Sequence, residues 1–243
     1  MSRIRVVGIG PGDYSEMTVR AVNALNDCDV IVGYHVYVDL VRAHFPDKEF
    51  HTTPMRREVD RCQIALDLAR EGRDVAMICS GDAGIYGMAG LIYELRGESE
   101  EPEVEVVGGL TAACSGAARL GAPLTHDFCV ISLSDLLTPW ETIEKRLECS
   151  ALGDFAVALY NPASMKRRDY LQKACDILLR HKSPDTVCGA VKNIGREGEE
   201  VLTMTLSELR DYQADMFTTV FVGNAQTRVI GGRMVTPRGY RDV

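Results

Sequence analysis

The chain lacks the features that mark several large protein classes. No apolar run reaches the roughly 18 residues that a membrane-spanning helix needs, and the first residues lead into a strand-like Val6-Val7 without the apolar core of a secretory signal. Basic residues are outnumbered, with 27 Lys and Arg against 35 Asp and Glu and a net charge of −8. This balance argues against nucleic acid as a partner. We therefore expect a cytoplasmic protein that binds neither membrane nor nucleic acid.

The cysteines also lack a pattern that would indicate a metal or redox site. Eight are present, but the closest pair, Cys175 and Cys188, is 13 residues apart, so the chain has no C-x-x-C pair. Most lie in apolar stretches such as Met77-Ile78-Cys79, where free cysteine behaves as a small hydrophobe. Reduced core thiols are expected and no metal site is assigned, while a metal or iron–sulfur cluster built from distant cysteines stays open.

Short apolar runs alternate with helical patterns in the first half of the chain. The runs over 4–9, 30–32, 75–79 and 104–107 predict strands, and the patterns over 18–26, 58–70, 84–95 and 111–120 predict helices. These strands are continuously apolar, which is typical of strands buried on both faces of a mostly parallel sheet. The alternation predicts an α/β fold.

A glycine- and proline-containing connector over 121–127 interrupts this alternation, and we expect two α/β domains, residues 1–122 and 123–243. After the connector, strands are predicted over 128–132, 155–159 and 186–191, and helices over 140–147 and 169–180. The final third adds strands over 201–205 and 218–222 without long helices between them. The second half is therefore predicted to hold a mixed sheet.

Three glycine-bearing loops follow strands: Gly8-Ile9-Gly10-Pro11-Gly12, Ser80 to Gly87, and Gly108 to Ala113. Ligands bind at the carboxyl ends of strands in α/β sheets, so one composite pocket explains the three loops better than three independent turns. The first loop is not a dinucleotide fingerprint, because Asp13 breaks the spacing and Pro11 removes an N–H; a plain strand–helix turn fits it equally well. In the second loop, Asp82 can accept from a ligand or cap the next helix. With nothing basic beside this loop, a sulfonium nucleoside suits the pocket better than a pyrophosphate.

Two compact basic clusters stand out in this acidic chain, Arg56-Arg57 and Lys166-Arg167-Arg168. Spacing alone fits solvated surface charge slightly better than a site for an anionic small molecule. No Ser-His-Asp, H-E-x-x-H or paired-carboxylate arrangement is apparent.

Taken together, these residues resemble the tetrapyrrole methylases. The resemblance is carried by Gly8-Ile9-Gly10-Pro11-Gly12, Val32-Gly33-Tyr34, Met55-Arg56-Arg57-Glu58, Ser80 to Ala89, Gly121-Ala122-Pro123-Leu124, Tyr160-Asn161-Pro162 and Thr236-Pro237-Arg238-Gly239-Tyr240. Within the family, His126-Asp127-Phe128 and the run from Ile131 to Trp140 are similar to the C17-methylating branch of the cobalamin pathway. The similarity extends over essentially the whole chain.

The resemblance implies a homodimer of two-domain α/β subunits, with S-adenosylmethionine and substrate in the cleft between the domains. It implies methylation of C17 of precorrin-3 or cobalt-precorrin-3, with ring contraction toward the precorrin-4 stage. The implied cofactor contacts are Pro11, Gly81, Asp82, Ile85, Tyr86, Thr111, Ala112, Asn161 and a backbone segment near Val191. The acid–base pair of some relatives is absent, because Tyr34 stands where they have Asp and Arg56 stands near the position of their Lys.

A tetrapyrrole substrate carries many carboxylates, which gives the basic clusters a function. The substrate-binding candidates are Arg57, Ser134, Asp135, Lys166 and Arg167, and the catalytic candidates are Tyr34, Arg56 and His126. Of these, Tyr34 is expected to donate a hydrogen bond to the substrate and His126 to assist proton movement during contraction. Methylation of another corrinoid or porphyrinogen position (C11, C20, or C2 and C7) and a nucleotide-binding oxidoreductase stay open. The high cysteine content favours a cobalt-containing substrate.

Overall fold

The computed structural model describes residues 3–164 and 166–240. The chain divides into two compact units, one ending at Ala112 and the other beginning at Ala113. The domain boundary expected after residue 122 stays a prediction. The division between the two compact units lies ten residues earlier, after Ala112. The physical reason is the helix over Ala112–Leu120, which packs on the second unit: Leu120 lies against Gly189, and Phe221 against Gly116.

The first unit is built on a five-stranded parallel sheet. Its strands are β1 (Arg3–Gly8), β2 (Val30–Tyr34), β3 (Glu49–Thr53), β4 (Val75–Cys79) and β5 (Glu103–Val107), and its helices are α1 (Val19–Asp27), α2 (His35–Val41), α3 (Glu58–Arg70) and α4 (Ala89–Arg96). The strand order is β3-β2-β4-β1-β5, and each neighbouring pair is parallel. The predicted α/β class and parallel sheet are confirmed.

Apolar cores cover both faces of this sheet, as the continuously apolar strands predict. Successive residues of a strand point to opposite faces, so Met77 of β4 packs with Leu66 of α3 and Ile92 of α4. The next residue, Ile78, packs with Leu25 of α1 and with α2 on the other face. Burial on both faces keeps the strands in place and brings their carboxyl ends to one edge of the sheet.

The second unit is built on a mixed sheet, which confirms the prediction for this half. Its helices are α5 (Ala112–Leu120), α6 (Trp140–Leu152), α7 (Tyr170–Leu178) and α8 (Leu206–Asp211), and its strands are β6 (Gly121–Ala122), β7 (Phe128–Ser132), β8 (Ala156–Tyr160), β9 (Val187–Lys192), β10 (Glu200–Thr205), β11 (Thr218–Val222), β12 (Arg228–Ile230) and β13 (Arg233–Val235). In the order β10-β9-β11-β8-β7, the β7–β8 pair is parallel and the others are antiparallel. A smaller sheet joins β12, β13 and β6.

The sequence patterns placed most predicted elements within two residues, with two corrections. The helix expected from Gly84 begins at Ala89, because the residues before it form a loop that the Asp82 carboxylate holds. The helix expected to end at Leu147 continues to Leu152. Patterns also missed α2 and the half-polar strand β3. Within the described ranges, none of the helices is long and apolar enough to cross a membrane.

Candidate active site

The three glycine loops lie together at the carboxyl edge of the first unit's sheet. They follow β4, β1 and β5, which are neighbours in the strand order. The first two loops form a reciprocal pair of hydrogen bonds: Gly10 N donates to Gly81 O at 3.1 Å, and Gly81 N donates to Gly10 O at 2.7 Å. Residues more than seventy positions apart therefore form one backbone surface.

This close approach requires glycine at particular positions. A Cβ on Gly109 would lie 2.2 Å from the carbonyl oxygen of Gly81, and one on Gly8 would lie 2.6 Å from the same oxygen. Both distances are far below van der Waals contact, so any side chain would push the loops apart. Glycine at positions 8 and 109 therefore allows the backbones of the three loops to make contact.

Asp82 connects two of these loops through its carboxylate. Its Oδ1 accepts hydrogen bonds from Gly84 N at 2.8 Å and Ile85 N at 3.2 Å. Its Oδ2 accepts from Gly109 N at 2.9 Å, in the loop after β5. Because both oxygens already bond the backbone, the structure gives Asp82 a loop-positioning role, and its direct contact with a cofactor stays a prediction.

Three predicted site residues adopt a strained backbone. Arg56 (φ 66°), Tyr86 (φ 54°) and Asn161 (φ 53°) are among the five described non-glycine residues with positive φ. Such conformations cost of order 1–3 kcal/mol and cluster at functional sites. Tyr86 and Ile85 beside it are also exposed, with relative accessibilities of 53% and 39%. An apolar, exposed pair on a rigid loop offers a contact surface for a planar ligand.

In the second unit, polar groups gather where β7 and β8 end. Ser132, the last residue of β7, pairs in register with Tyr160 of β8. The Ser132 Oγ accepts from Asn161 Nδ2 at 2.9 Å and from Ser134 N at 3.2 Å. The Tyr160 hydroxyl accepts from Ala113 N at 2.7 Å, at the start of α5. Both strand ends are therefore held by specific hydrogen bonds.

The loop after β7 is held by an ion pair. Arg167 Nε lies 2.7 Å from Asp135 Oδ1, and Arg167 Nη1 donates to Ser134 Oγ at 3.1 Å. The Tyr170 hydroxyl donates to Asp135 Oδ2 at 2.6 Å, which raises the pKa of Tyr170 above its usual value. Trp140 packs on Tyr170 with ring centroids 4.6 Å apart. Three residues predicted to bind substrate are brought together, and they bind one another.

Comparison with known proteins agrees with this arrangement. A model of the family Tetrapyrrole (Corrin/Porphyrin) Methylases matches residues 3–210. The chain belongs to the tetrapyrrole methylases.

Two relatives within the family match nearly end to end. A probable cobalt-factor III C(17)-methyltransferase of Salmonella typhimurium is 48% identical over 98% of this chain and 99% of its own length. A precorrin-3B C(17)-methyltransferase of Sinorhizobium sp is 40% identical over 97% of this chain and 96% of its own length. The crystal structure of the methyltransferase CobJ superposes with a TM-score of 0.89 at 36% identity, covering 98% of this chain and all of that one.

The other residues predicted to act in this tetrapyrrole methylase lie in separate surroundings. Tyr34 ends β2 in an aromatic group with His35 and Tyr37, at centroid distances of 4.4 and 5.2 Å. Arg57 pairs with Asp60 on the surface of α3, and Lys166 is exposed. The roles proposed for these three side chains stay predictions.

His126 and four of the expected cofactor contacts, Pro11, Thr111, Ala112 and Val191, lie in surroundings of different kinds. The His126 ring accepts from Asp127 N at 2.9 Å and is partly exposed. Pro11 and Thr111 are buried, and Ala112 begins α5. Val191 is fully buried in β9 and pairs with Val201 on one side and Thr219 on the other. A cofactor contact near Val191 stays a prediction, and its backbone already lies between two strands.

Sequence reasoning missed Arg61, which is 5% exposed in α3. Its Nε donates to Thr53 Oγ1 at 2.9 Å, and its guanidinium lies 5.7 Å from the ring centroid of Tyr34. A signal was available, because Arg61 is spaced four and eight residues from Ala65 and Ala69, which define the buried face of the helix. An arginine on an apolar helix face is rare enough to deserve a functional explanation.

Proposed function

We propose that the protein transfers the methyl group of S-adenosylmethionine to C17 of a cobalt-containing precorrin-3 or factor III macrocycle. Ring contraction toward cobalt-precorrin-4 accompanies the transfer in cobalamin biosynthesis, in the cytoplasm. The observation that carries this proposal is the nearly end-to-end match, at 48% identity, to a probable cobalt-factor III C(17)-methyltransferase. The cobalt form is preferred because identity to the precorrin-3B enzyme is lower, at 40%.

The chemistry of the glycine loops fits a sulfonium cofactor. The loops 8–12, 80–87 and 108–112 contain one charged side chain, that of Asp82, and no Lys or Arg. A pyrophosphate needs cations or free N–H groups, whereas a cationic sulfonium is attracted by an anion and tolerates neutral backbone. We assign Gly81, Ile85, Tyr86 and Thr111 to S-adenosylmethionine, with Asp82 fixing their positions.

The cofactor supplies an activated methyl group when it is bound, so the protein chiefly has to align it with the acceptor carbon. Rigid loops serve this task, because a small displacement of either reactant lowers the rate strongly. The tightly bonded backbone of Gly10 and Gly81 and the hydrogen-bonded ends of β7 and β8 give such rigidity. Exposed cations, Arg56 and Lys166, are assigned to the peripheral carboxylates of the substrate.

The enzyme is proposed to act as a homodimer, and sedimentation analysis tests that assembly independently of catalysis. Activity is tested with isotopically labelled S-adenosylmethionine and a panel of macrocycles. Cobalt-factor III in its reduced form and precorrin-3B are compared with precursors methylated at other positions. We expect one labelled methyl group in the product from the cobalt compound and an absorption change that reports contraction. Labelling of a different ring position, or of precorrin-3B alone, would overturn the assignment.

A further inference from the structure

Arg61 is a buried cation that lacks a counter-ion in the described part of the chain. The residue has a relative accessibility of 5%, and no carboxylate lies within ion-pair distance of its side chain in residues 3–164 and 166–240. Burial of an uncompensated charge is costly unless a partner arrives. An arginine kept in this state therefore requires an explanation.

The groups that hold Arg61 are all neutral. Nε donates to Thr53 Oγ1 at 2.9 Å, and Nη2 donates to the carbonyl oxygen of Pro54 at 3.2 Å. The Tyr34 ring lies 5.7 Å from the guanidinium carbon. These contacts fix the plane of the guanidinium and use two of its five donors.

These contacts leave the two donors on Nη1 unused. Nη1 bonds no acceptor among the described residues, yet it is not one of the fully enclosed atoms that lack a partner. Nη1 therefore keeps some accessible surface in a fixed orientation, and no carboxylate of the described residues neutralises the guanidinium. This arrangement resembles a carboxylate receptor before its ligand binds, because arginine binds carboxylates through paired N–H donors.

Nearby ionisable groups do not neutralise the charge. Burial raises the pKa of Cys62 to about 12 and that of Cys79 to about 11, so both thiols are uncharged at neutral pH although Arg61 opposes the shift. Asp60 pairs with Arg57, and the Asp82 carboxylate bonds backbone N–H groups. No protein anion within the described residues serves Arg61.

The position of Arg61 places this charge beside the cofactor loops. Tyr34 ends β2 and Thr53 ends β3, and these strands are parallel to β4, β1 and β5. The β2–β3 end therefore continues the same edge of the first unit's sheet that carries the three glycine loops. A ligand held near those loops has this edge as its neighbour.

We propose that Arg61 binds a peripheral carboxylate of the tetrapyrrole and so selects carboxylate-bearing macrocycles. Arg61 thus becomes a substrate-specificity residue, held by Thr53 and Tyr34. This assignment rests on the proposed function, since it assumes a tetrapyrrole polycarboxylate as substrate.

The test compares two stable corrinoids with the same ring. Cobyrinic acid carries free carboxylates, and cobinamide carries amides in their place; both are used in the dicyano form. Dissociation constants are measured by calorimetry for the wild type, Arg61→Gln and Arg70→Gln. Arg70 lies on the same helix but is exposed and paired with Asp67, so its variant controls for the loss of one positive charge. S-adenosylhomocysteine affinity and thermal midpoint are measured in parallel.

We expect the wild type to prefer the acid and Arg61→Gln to reduce that preference about tenfold, while Arg70→Gln retains it. Binding of S-adenosylhomocysteine should stay within about twofold of wild type in both variants, because the glycine loops are intact. With turnover, KM should rise while kcat changes little, because the lost contact is present in the ground state as well as the transition state. Arg61→Lys, which keeps the charge without the fixed fork, should give an intermediate preference.

Two results would overturn the proposal. One is an unchanged acid-to-amide preference in Arg61→Gln or, if that variant does not fold, in Arg61→Lys. The other is an equal loss in Arg70→Gln. Failure of the proposed function is separate: a wild type that methylates no C17 substrate but shows an Arg61-dependent preference for the acid leaves the Arg61 assignment standing.

Discussion

At the residue scale, Asp82 has a structural role that its residue type and position do not suggest. A carboxylate at the end of a strand suggests a ligand contact, yet this one accepts three backbone hydrogen bonds from two loops. Hydrogen bonds to a charged acceptor are about twice as strong as neutral ones. The charge therefore stabilises the arrangement of the two loops, and we expect Asp82 to affect a bound cofactor through that arrangement.

Replacing Asp82 with Asn should weaken cofactor binding and stability together. The new amide presents N–H donors where Gly109 N or the Gly84 and Ile85 N–H groups donate, so one set loses its acceptor. We expect a loss of about 1–3 kcal/mol in the free energy of unfolding and a fall of about tenfold or more in S-adenosylhomocysteine affinity. Urea unfolding and calorimetry measure the two effects. Asp127→Asn, at an exposed site, is the control; equal behaviour of the two variants would contradict this role.

At the element scale, the positions of three loops depend on which strands are neighbours. The sheet order places β1 between β4 and β5, so the loops after these strands meet although they are widely separated in sequence. Contact between backbones leaves no room for Cβ at Gly8 or Gly109. The loops therefore act as one rigid unit, and a change in one loop is expected to displace the others.

Gly109→Ala tests this rigidity directly. The added methyl group would lie 2.2 Å from Gly81 O and 2.5 Å from Gly8 O, and backbone atoms cannot swing aside as a flexible side chain can. We expect a destabilisation of about 1–3 kcal/mol and a loss of S-adenosylhomocysteine binding of at least about tenfold, both read from thermal shifts with and without ligand. Gly90→Ala is the matched control, since no atom lies within 4 Å of its Cβ and alanine favours the helix. Wild-type affinity in Gly109→Ala would refute the close-packing account.

At the scale of the whole molecule, buried thiols in both units make the free energy of unfolding depend on pH. Burial raises the pKa of Cys62 and Cys175 to about 12, and those of Cys28 and Cys79 to about 11. Below about pH 8 these thiols are mostly protonated in the folded and unfolded chain alike. Above it the unfolded chain releases protons that the folded chain keeps, so stability is lost as pH rises toward the folded-state pKa values.

We therefore expect the free energy of unfolding to fall as pH rises above about 9, by about 1.4 kcal/mol per pH unit for each such thiol. Urea unfolding in the presence of a reductant measures this slope. Cys62→Ala should make the slope shallower by one thiol's share, whatever its effect on stability at neutral pH. Cys149→Ala, at an exposed cysteine, should keep the wild-type slope. Identical slopes in all three proteins would show that Cys62 ionises normally in the folded state.

Prediction from sequence succeeded where structure depends on local pattern. The apolar run of β4 and the amphipathic stretch of α3 specify their elements through burial, and both were located to the residue. Prediction failed where polar and apolar residues are mixed, as in β3, which depends on pairing with β2. It also failed for the start of α4. The Asp82 carboxylate before this helix accepts a hydrogen bond from Gly109 N, in the loop after β5, and no local pattern indicates that contact.

The sequence by itself determined the α/β class, most strands and helices, the glycine loops at strand ends and the family resemblance. These follow from periodicity, burial tendency and the conformational freedom of glycine, which are properties of short segments. Tertiary structure alone decided which loops touch, that Arg167 and Asp135 bind each other, and that Arg61 is buried without a counter-ion among residues 3–164 and 166–240. These depend on distances between residues far apart in the chain, and no local pattern carries them.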